Sequence, residues 1–225
     1  MRILIVAATA QEVDPLVARC RDLAVADSIV RKCVYGGHAA DILVTGVGMV
    51  ATAAWCSRAL SEARYELALN VGLCGTFDRS IDLGTVVHVT SDRIVELGAE
   101  DGERFLPIEE LGLGGGSAPA VSGALVNPAP PANGVLSRLP AVTGITVNTV
   151  HGSEQSIARV VERFRPQVES MEGAAFMYAC MIHNLPFAQV RAVSNLVERR
   201  NRTAWRIPEA IERLGAETLR ILGAL

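Results

Sequence analysis

Two segments hold the residue types that could do chemistry on one small molecule. Val168-Glu169-Ser170-Met171-Glu172-Gly173 ends a strand-like stretch with a Met and a carboxylate where a helix begins. Arg191-Ala192-Val193-Ser194-Asn195 ends a second apolar strand with a hydroxyl and an amide. A carboxylate at a strand-to-helix junction is favoured by the helix dipole. It can accept two hydroxyl hydrogen bonds from a sugar diol, while the polarisable Met171 lies against the sugar face. The Asn195 amide offers one acceptor and one donor, matching a 6-oxopurine protonated at N7: the carbonyl takes N7–H and the NH₂ gives to O6. An Asp there would suit a 6-aminopurine better. Plainer readings exist for both residues, a helix-terminal charge for Glu172 and a turn residue for Asn195. Taken together, a diol-binding acid and a base-binding amide point to a nucleoside.

Thr9-Ala10-Gln11-Glu12 follows the first strand-like run and opens a helix. Its Thr-x-x-Glu spacing is that of a capping box, with Glu12 at N3. A carboxylate at a strand's C-terminal end could also act as general base toward water, and the sequence leaves both readings open. Thr45-Gly46-Val47-Gly48-Met49-Val50-Ala51 matches the dinucleotide fingerprint GxGxxA. It follows the third strand rather than the first, however, and the acid about twenty positions on, Glu66, begins its strand instead of ending it. A tight glycine turn at a sheet rim is the better reading. Asn70-Val71-Gly72-Leu73-Cys74-Gly75-Thr76 is another Gly-rich strand end, where Gly75 would let backbone approach a ligand closely. Cys74 has no His/Asp set spaced around it and reads as a small packed residue. His38, His88, His151 and His183 show no metal-ligand spacing and read as core or surface residues, so no metal is expected. Glu198-Arg199-Arg200-Asn201-Arg202 is either a solvated charged loop or a partner for an anionic substrate tail, with Arg199 as the cation and Trp205 as an aromatic wall.

Positioning these residues falls to alternating strands and helices, the signature of a doubly wound α/β sheet. β-branched runs predict strands over 2–8, 28–35, 40–45, 67–71, 85–95, 144–150, 167–170 and 186–193. Helices are expected over 12–21, 49–63, 153–163, 172–183 and 208–222, the last four each with one buried apolar stripe. The run 85–95 is long enough to be a bent strand serving a strongly curved sheet or barrel. Residues 107–140 contain Gly114-Gly115-Gly116, Pro119 and the stretch from Pro128 to Pro131. They read as a long loop with one short helix over 121–125, either a binding loop or a disordered excursion.

With 225 residues, half of them apolar (50%) and 20% charged, the chain suits one large globular α/β domain spanning 1–225. A net charge of −3 argues against nucleic-acid polymers and anionic membranes as partners. No apolar stretch reaches the length of a membrane span, and the apolar run after Met1 is too short for a signal sequence. Five scattered cysteines without CxxC spacing suit a reducing compartment. A soluble, cytoplasmic protein is expected.

In this order, Ala7-Ala8-Thr9-Ala10-Gln11-Glu12, Thr45-Gly46-Val47-Gly48, Val71-Gly72-Leu73-Cys74-Gly75, Glu169-Ser170-Met171-Glu172-Gly173-Ala174-Ala175 and Arg191-Ala192-Val193-Ser194-Asn195 span nearly the whole chain. The set resembles the nucleoside phosphorylase/nucleosidase superfamily, and within it the methylthioadenosine/S-adenosylhomocysteine nucleosidases and the futalosine hydrolases. That resemblance implies a three-layer α/β/α fold with a central mixed, twisted, barrel-like sheet. It also implies a homo-oligomer (dimer or larger), a small-molecule nucleoside substrate and no cofactor. Carried over residue by residue, Glu12 would activate the attacking water and Met171 and Glu172 would hold the ribose. Ser194 with position 195 would handle the purine and its leaving-group proton.

The adenosine-type nucleosidases have Asp where this chain has Asn195, and the run from Ser194 to Arg202 followed by Trp205 is similar to the futalosine hydrolase version. Futalosine is an inosine derivative whose 5′ side carries a carboxyphenyl ketone, so a purine-facing Asn and nearby arginines both fit it. The resemblance thus implies release of hypoxanthine from futalosine, leaving dehypoxanthine futalosine, in the futalosine route to menaquinone. The alternatives are a methylthioadenosine/S-adenosylhomocysteine nucleosidase, a purine nucleoside phosphorylase with an arginine-lined phosphate pocket, and a nucleotide-binding module without turnover.

Overall fold

The computed structural model describes residues 1–22, 30–113, 123–127 and 129–225. In chain order the first half contains β1 (Arg2–Ala7), α1 (Ala10–Val17), β2 (Arg21–Asp22), β3 (Val30–Tyr35), β4 (His38–Val44), α2 (Met49–Glu62), β5 (Leu67–Thr76) and β6 (Val86–Asp92). The hairpin β7 (Gly98–Asp101) and β8 (Arg104–Pro107) follows, then β9 (Leu125–Val126) and β10 (Ala141–Thr146). The chain ends with α3 (Glu154–Phe164), β11 (Val168–Ser170), α4 (Gly173–Ile182), β12 (Phe187–Leu196) and α5 (Ile207–Gly223).

Hydrogen bonding orders the main sheet β11-β10-β6-β12-β5-β1-β4-β3-β2, with β9 on β6 and a further pairing of β11 to β5. That last pairing closes β5, β12, β6, β10 and β11 into a ring, which is the barrel-like centre expected from the resemblance. The pairings are mixed: β12 runs parallel to β5, while β11 runs antiparallel to it. Small side chains from all five strands (Cys74, Val87, Val89, Val142, Val168, Val193) pack together there. Ring diameter falls with strand number, so five strands leave room only for residues of this size. The bend foreseen for 85–95 is present. β6 leaves Thr90 unpaired between Val89 and Ser91 in its register with β10, and Ile94 bridges onward to Thr146.

Helices cover both faces. Val13 and Leu16 of α1 pack with Leu214 and Ile221 of α5 on one side, and Cys56 and Ala59 of α2 pack with Phe176 and Met177 of α4 on the other. Each such fully buried aliphatic or aromatic side chain contributes about 1.5–3 kcal/mol relative to exposure. The single buried stripe expected of α4 is wrong: seven of its residues are buried, because it is enclosed by α2, the sheet and β9.

Several boundaries differ from the sequence reading, each for a local reason. Helix α1 starts at Ala10 rather than 12 and ends at Val17, before the short edge strand β2. β5 continues past Gly72 to Thr76, because β12 pairs alongside it to the end. The strand expected over 144–150 leaves the sheet after Thr146, and Asn148 N instead donates to the Glu96 carboxylate. Within 107–140, residues 114–122 and 128 lie outside the described residues, which takes in part of the short helix expected over 121–125. Of the rest of that helix, Gly123 and Ala124 are irregular and Leu125 begins β9. The segment also buries more than a loop would. Asn133 accepts from Val135 N and Leu136 N through Oδ1 and donates to Ile221 O at the end of α5.

Candidate active site

The C-terminal ends of β1, β4, β5, β11 and β12 meet at one cavity of about 370 Å³. Ligands gather at this end of open α/β sheets, and the volume is that of a small-molecule site. Glu12, Gly75, Met171, Glu172, Ser194, Asn195 and Trp205, all expected in a site, line it. Arg199 does not. Arg199 and Arg200 are both exposed, but Arg200 is the one that lines the cavity, its guanidinium 5.4 Å from the Trp205 ring centre.

Glu12 forms the capping box read from its spacing and also lines the cavity. Its Oε2 accepts from Thr9 N at 2.9 Å and Thr9 Oγ1 at 3.1 Å, so the carboxylate caps its own helix. Its Oε1 accepts from Leu73 N at 3.0 Å, which ties α1 to β5 and turns the group to the cavity. Three of about four acceptor positions are filled, leaving one for a ligand or water.

Glu172 is the N-cap residue of α4 and is buried. Gly48 N donates to its Oε1 at 3.1 Å. That N–H is presented by the turn matching GxGxxA, where Gly48 has φ +100°, a value L side chains rarely adopt. The acid that the dinucleotide fingerprint requires is not beside that turn: Glu66 sits at the opposite end of the sheet and accepts from Arg2 N at 2.7 Å. Glu172 Oε2 lies 3.4 Å from Arg191 Nη1. Arg191 is the buried guanidinium of the described residues. It donates to Gln189 Oε1 (3.1 Å), Leu73 O (3.5 Å) and Asn70 Oδ1. Leu73 therefore links Glu12 to Glu172, taking Glu12 on its N–H and Arg191 on its carbonyl.

Asn195 owes its aim to a bulge. β12 pairs Val193 with Cys74 and Asn195 with Gly75, so Ser194 is the extra residue. Asn195 Nδ2 donates to Leu196 O at 2.9 Å, and since a carbonyl only accepts, this fixes which end of the amide is NH₂. Ser194 Oγ donates to Asn195 Oδ1 at 2.8 Å. One lone pair of Oδ1 and one hydrogen of Nδ2 remain, the complement of N7–H and O6.

Three groups were missed or set aside in the sequence. His151 lines the cavity with Nδ1 2.6 Å from Glu169 Oε2, and its backbone N donates to Glu169 Oε1 at 3.0 Å. Their 18-residue separation on a loop and a strand gives no local signal. Arg191 reads from sequence as one more strand residue. Asp92 is buried beneath α4, where its carboxylate accepts from Thr146 Oγ1, Gln189 Nε2 and Arg93 N. Cys74 is the packed residue expected, burial pushing its thiol up to about 12. Among the described residues no group of His, Cys, Asp and Glu is arranged to hold a metal.

Burial pushes the Asp92 carboxyl from its ordinary 3.8 up to about 6, against the hydrogen bonds from Gln189 and Thr146. The folded chain therefore keeps this proton to about pH 6, whereas the unfolded chain releases it near 3.8. The folded state binds more protons in between, so this group's contribution to stability falls as pH rises from about 4 to 6 and is flat above. The change corresponds to about 3 kcal/mol. Urea unfolding across that interval, with Asp92→Asn as reference, should show the slope in the parent chain and lose it in the variant.

The phosphorylase superfamily model matches residues 2–225. The futalosine hydrolase of Streptomyces coelicolor is 34% identical over 185 residues, covering 77% of this chain and 74% of the relative. Two solved structures share the fold at low identity. The 5′-methylthioadenosine/S-adenosylhomocysteine nucleosidase of S. pneumoniae has a TM-score of 0.81 at 19% identity, covering 100% of this chain and 99% of that one. Futalosine hydrolase of Helicobacter pylori also gives 0.81, at 12% identity, covering 100% and 98%. The chain belongs to the phosphorylase superfamily and, within it, to the family of the futalosine hydrolases.

Proposed function

We propose that this protein hydrolyses the N-ribosidic bond of futalosine, releasing hypoxanthine and dehypoxanthine futalosine, a step of the futalosine route to menaquinone. The observation that carries the reading is the Asn195 amide, held by Leu196 O and Ser194 with one acceptor and one donor position open. Glu12 takes a proton from water as the water oxygen bonds to C1′ and the C1′–N9 bond breaks. Glu172 accepts from the ribose hydroxyls, and Met171 lies against the sugar. N7 takes its proton from solvent, and Asn195 stabilises the departing base by accepting N7–H and donating to O6. The buried carboxylates also favour the positive charge that develops on the ribose ring. Arg200 and Trp205 at the rim suit the carboxyphenyl tail.

Phosphate fits the cavity poorly. Among the described residues Glu12, Glu169, Glu172 and Glu198 line it, Arg200 is the one arginine that does, and Arg191 is already paired with Glu172, so a second anion would meet net repulsion. Incubation without phosphate with futalosine, its 6-amino analogue and methylthioadenosine, followed by identification of the base, tests the reading. Hypoxanthine from futalosine is expected. Adenine released from methylthioadenosine in preference, or a strict need for phosphate, would overturn it.

At Gly75 an added Cβ would lie 2.9 Å from Val197 Cγ2 and 3.0 Å from Asn195 Nδ2. Gly75→Ala should therefore displace the amide and lower kcat/KM by about ten- to a hundredfold, with an unchanged circular dichroism spectrum.

The protein is further read as one catalytic domain that works as a homo-oligomer in the cytoplasm. Exposed Val47 (57%) and Val50 (83%) beside the cavity support association, which light scattering on a sizing column tests. Among the described residues no helix is long and apolar enough to cross a membrane.

A further inference from the structure

We propose that His151, held by Glu169, is the residue that separates 6-oxopurine from 6-aminopurine substrates at this site. The inference rests on the purine nucleoside reading above. β11 and β12 both pair with β5 at Gly75, through Glu169 on one side and Asn195 on the other. Gly75 has no side chain between them, so a ligand in the cavity can approach the backbone there with Glu169 on one side and Asn195 on the other. His151 and Glu169 line the same cavity as Asn195.

One carboxylate grips His151 twice, at its backbone N–H and at Nδ1. A carboxylate oxygen only accepts, so Nδ1 carries the hydrogen. In the neutral imidazole Nε2 is then a bare acceptor, and among the described residues it has no hydrogen-bond partner. A hypoxanthine whose N7 and O6 sit on Asn195 presents N1–H at the next position round the ring, a donor for Nε2. Adenine presents a lone pair at N1, which would face the Nε2 lone pair. Asn195 thus reads one edge of the base and His151 the adjoining one. The tautomer that makes the second reading selective is set by Glu169, which acts as a positioning residue.

Glu169→Gln tests this directly. The amide must give its oxygen to the backbone N–H of His151, because only that end accepts. Its NH₂ then faces Nδ1, which becomes the acceptor and moves the ring hydrogen to Nε2. The measured quantity is the ratio of kcat/KM for futalosine to that for its 6-amino analogue. It should fall by about tenfold or more in the variant, with the 6-amino rate rising rather than falling. His151→Phe keeps the ring volume but has no acceptor, and should also lower the ratio through the futalosine rate, which covers the case in which Glu169→Gln does not fold. Equal losses on both substrates, or an unchanged ratio, would mean that the pair is only structural. Wild-type protein that releases hypoxanthine while the variants keep its ratio overturns the inference and leaves the hydrolase reading standing. Wild-type protein that releases no base from either substrate overturns both.

Discussion

Glu12→Gln is expected to lower kcat on futalosine by about 10²- to 10⁴-fold with little change in KM, the range for loss of a positioned general base. Gln cannot take the proton that water must lose. The substitution also has a structural cost. Both carboxylate oxygens accept from donors, Thr9 N and Oγ1 on one and Leu73 N on the other. Whichever way the Gln amide turns, its NH₂ faces a donor, so about 1–3 kcal/mol of stability should go with the activity. Steady-state kinetics and thermal unfolding of the same preparation separate the two effects. Near-normal turnover in Glu12→Gln would remove Glu12 from the mechanism and leave it only the helix-capping role.

The second large effect is expected at Arg191. Arg191→Met fills a similar volume but strands Glu172, Asn70 and Gln189 in a buried setting. Breaking a buried ion pair by removing one partner costs about 3–5 kcal/mol, chiefly because the remaining charge is uncompensated. Urea unfolding should show that loss. Substrate binding should weaken beside it, because Glu172 would keep only Gly48 N as a fixed partner. Arg191→Lys should recover little of either, since one ammonium cannot reach the four directions that the guanidinium serves. An unfolding midpoint unmoved in Arg191→Met would show that this polar chain contributes nothing to the fold.

The two substitutions probe different links. Glu12 lies at the end of a local device, a capping box that the sequence spells out in four residues. Arg191 joins positions far apart in the chain: Asn70 is 121 residues away and Glu172 is 19. The same contrast runs through the site. Glu172 and Asn195 were legible because each ends an apolar strand, and alternation of strand and helix is a local pattern. The loop choice between Arg199 and Arg200 was not legible. Adjacent residues of one charge look alike until Trp205 folds back beneath the second.

By itself, then, the sequence determined the alternation of elements, the acids and the amide at the strand ends, and the glycine turns that let backbone approach them. These follow from hydrophobic periodicity and turn chemistry, which act over a few residues. Only the tertiary structure decided that β11 pairs back on β5 to close the ring, since strand partners are chosen by burial of the whole core. That closure sets Glu169 and Asn195 on either side of Gly75 and brings His151 to the cavity. It also runs the buried chain from Asp92 through Gln189 and Arg191 to Glu172, because polar groups enclosed together must satisfy one another.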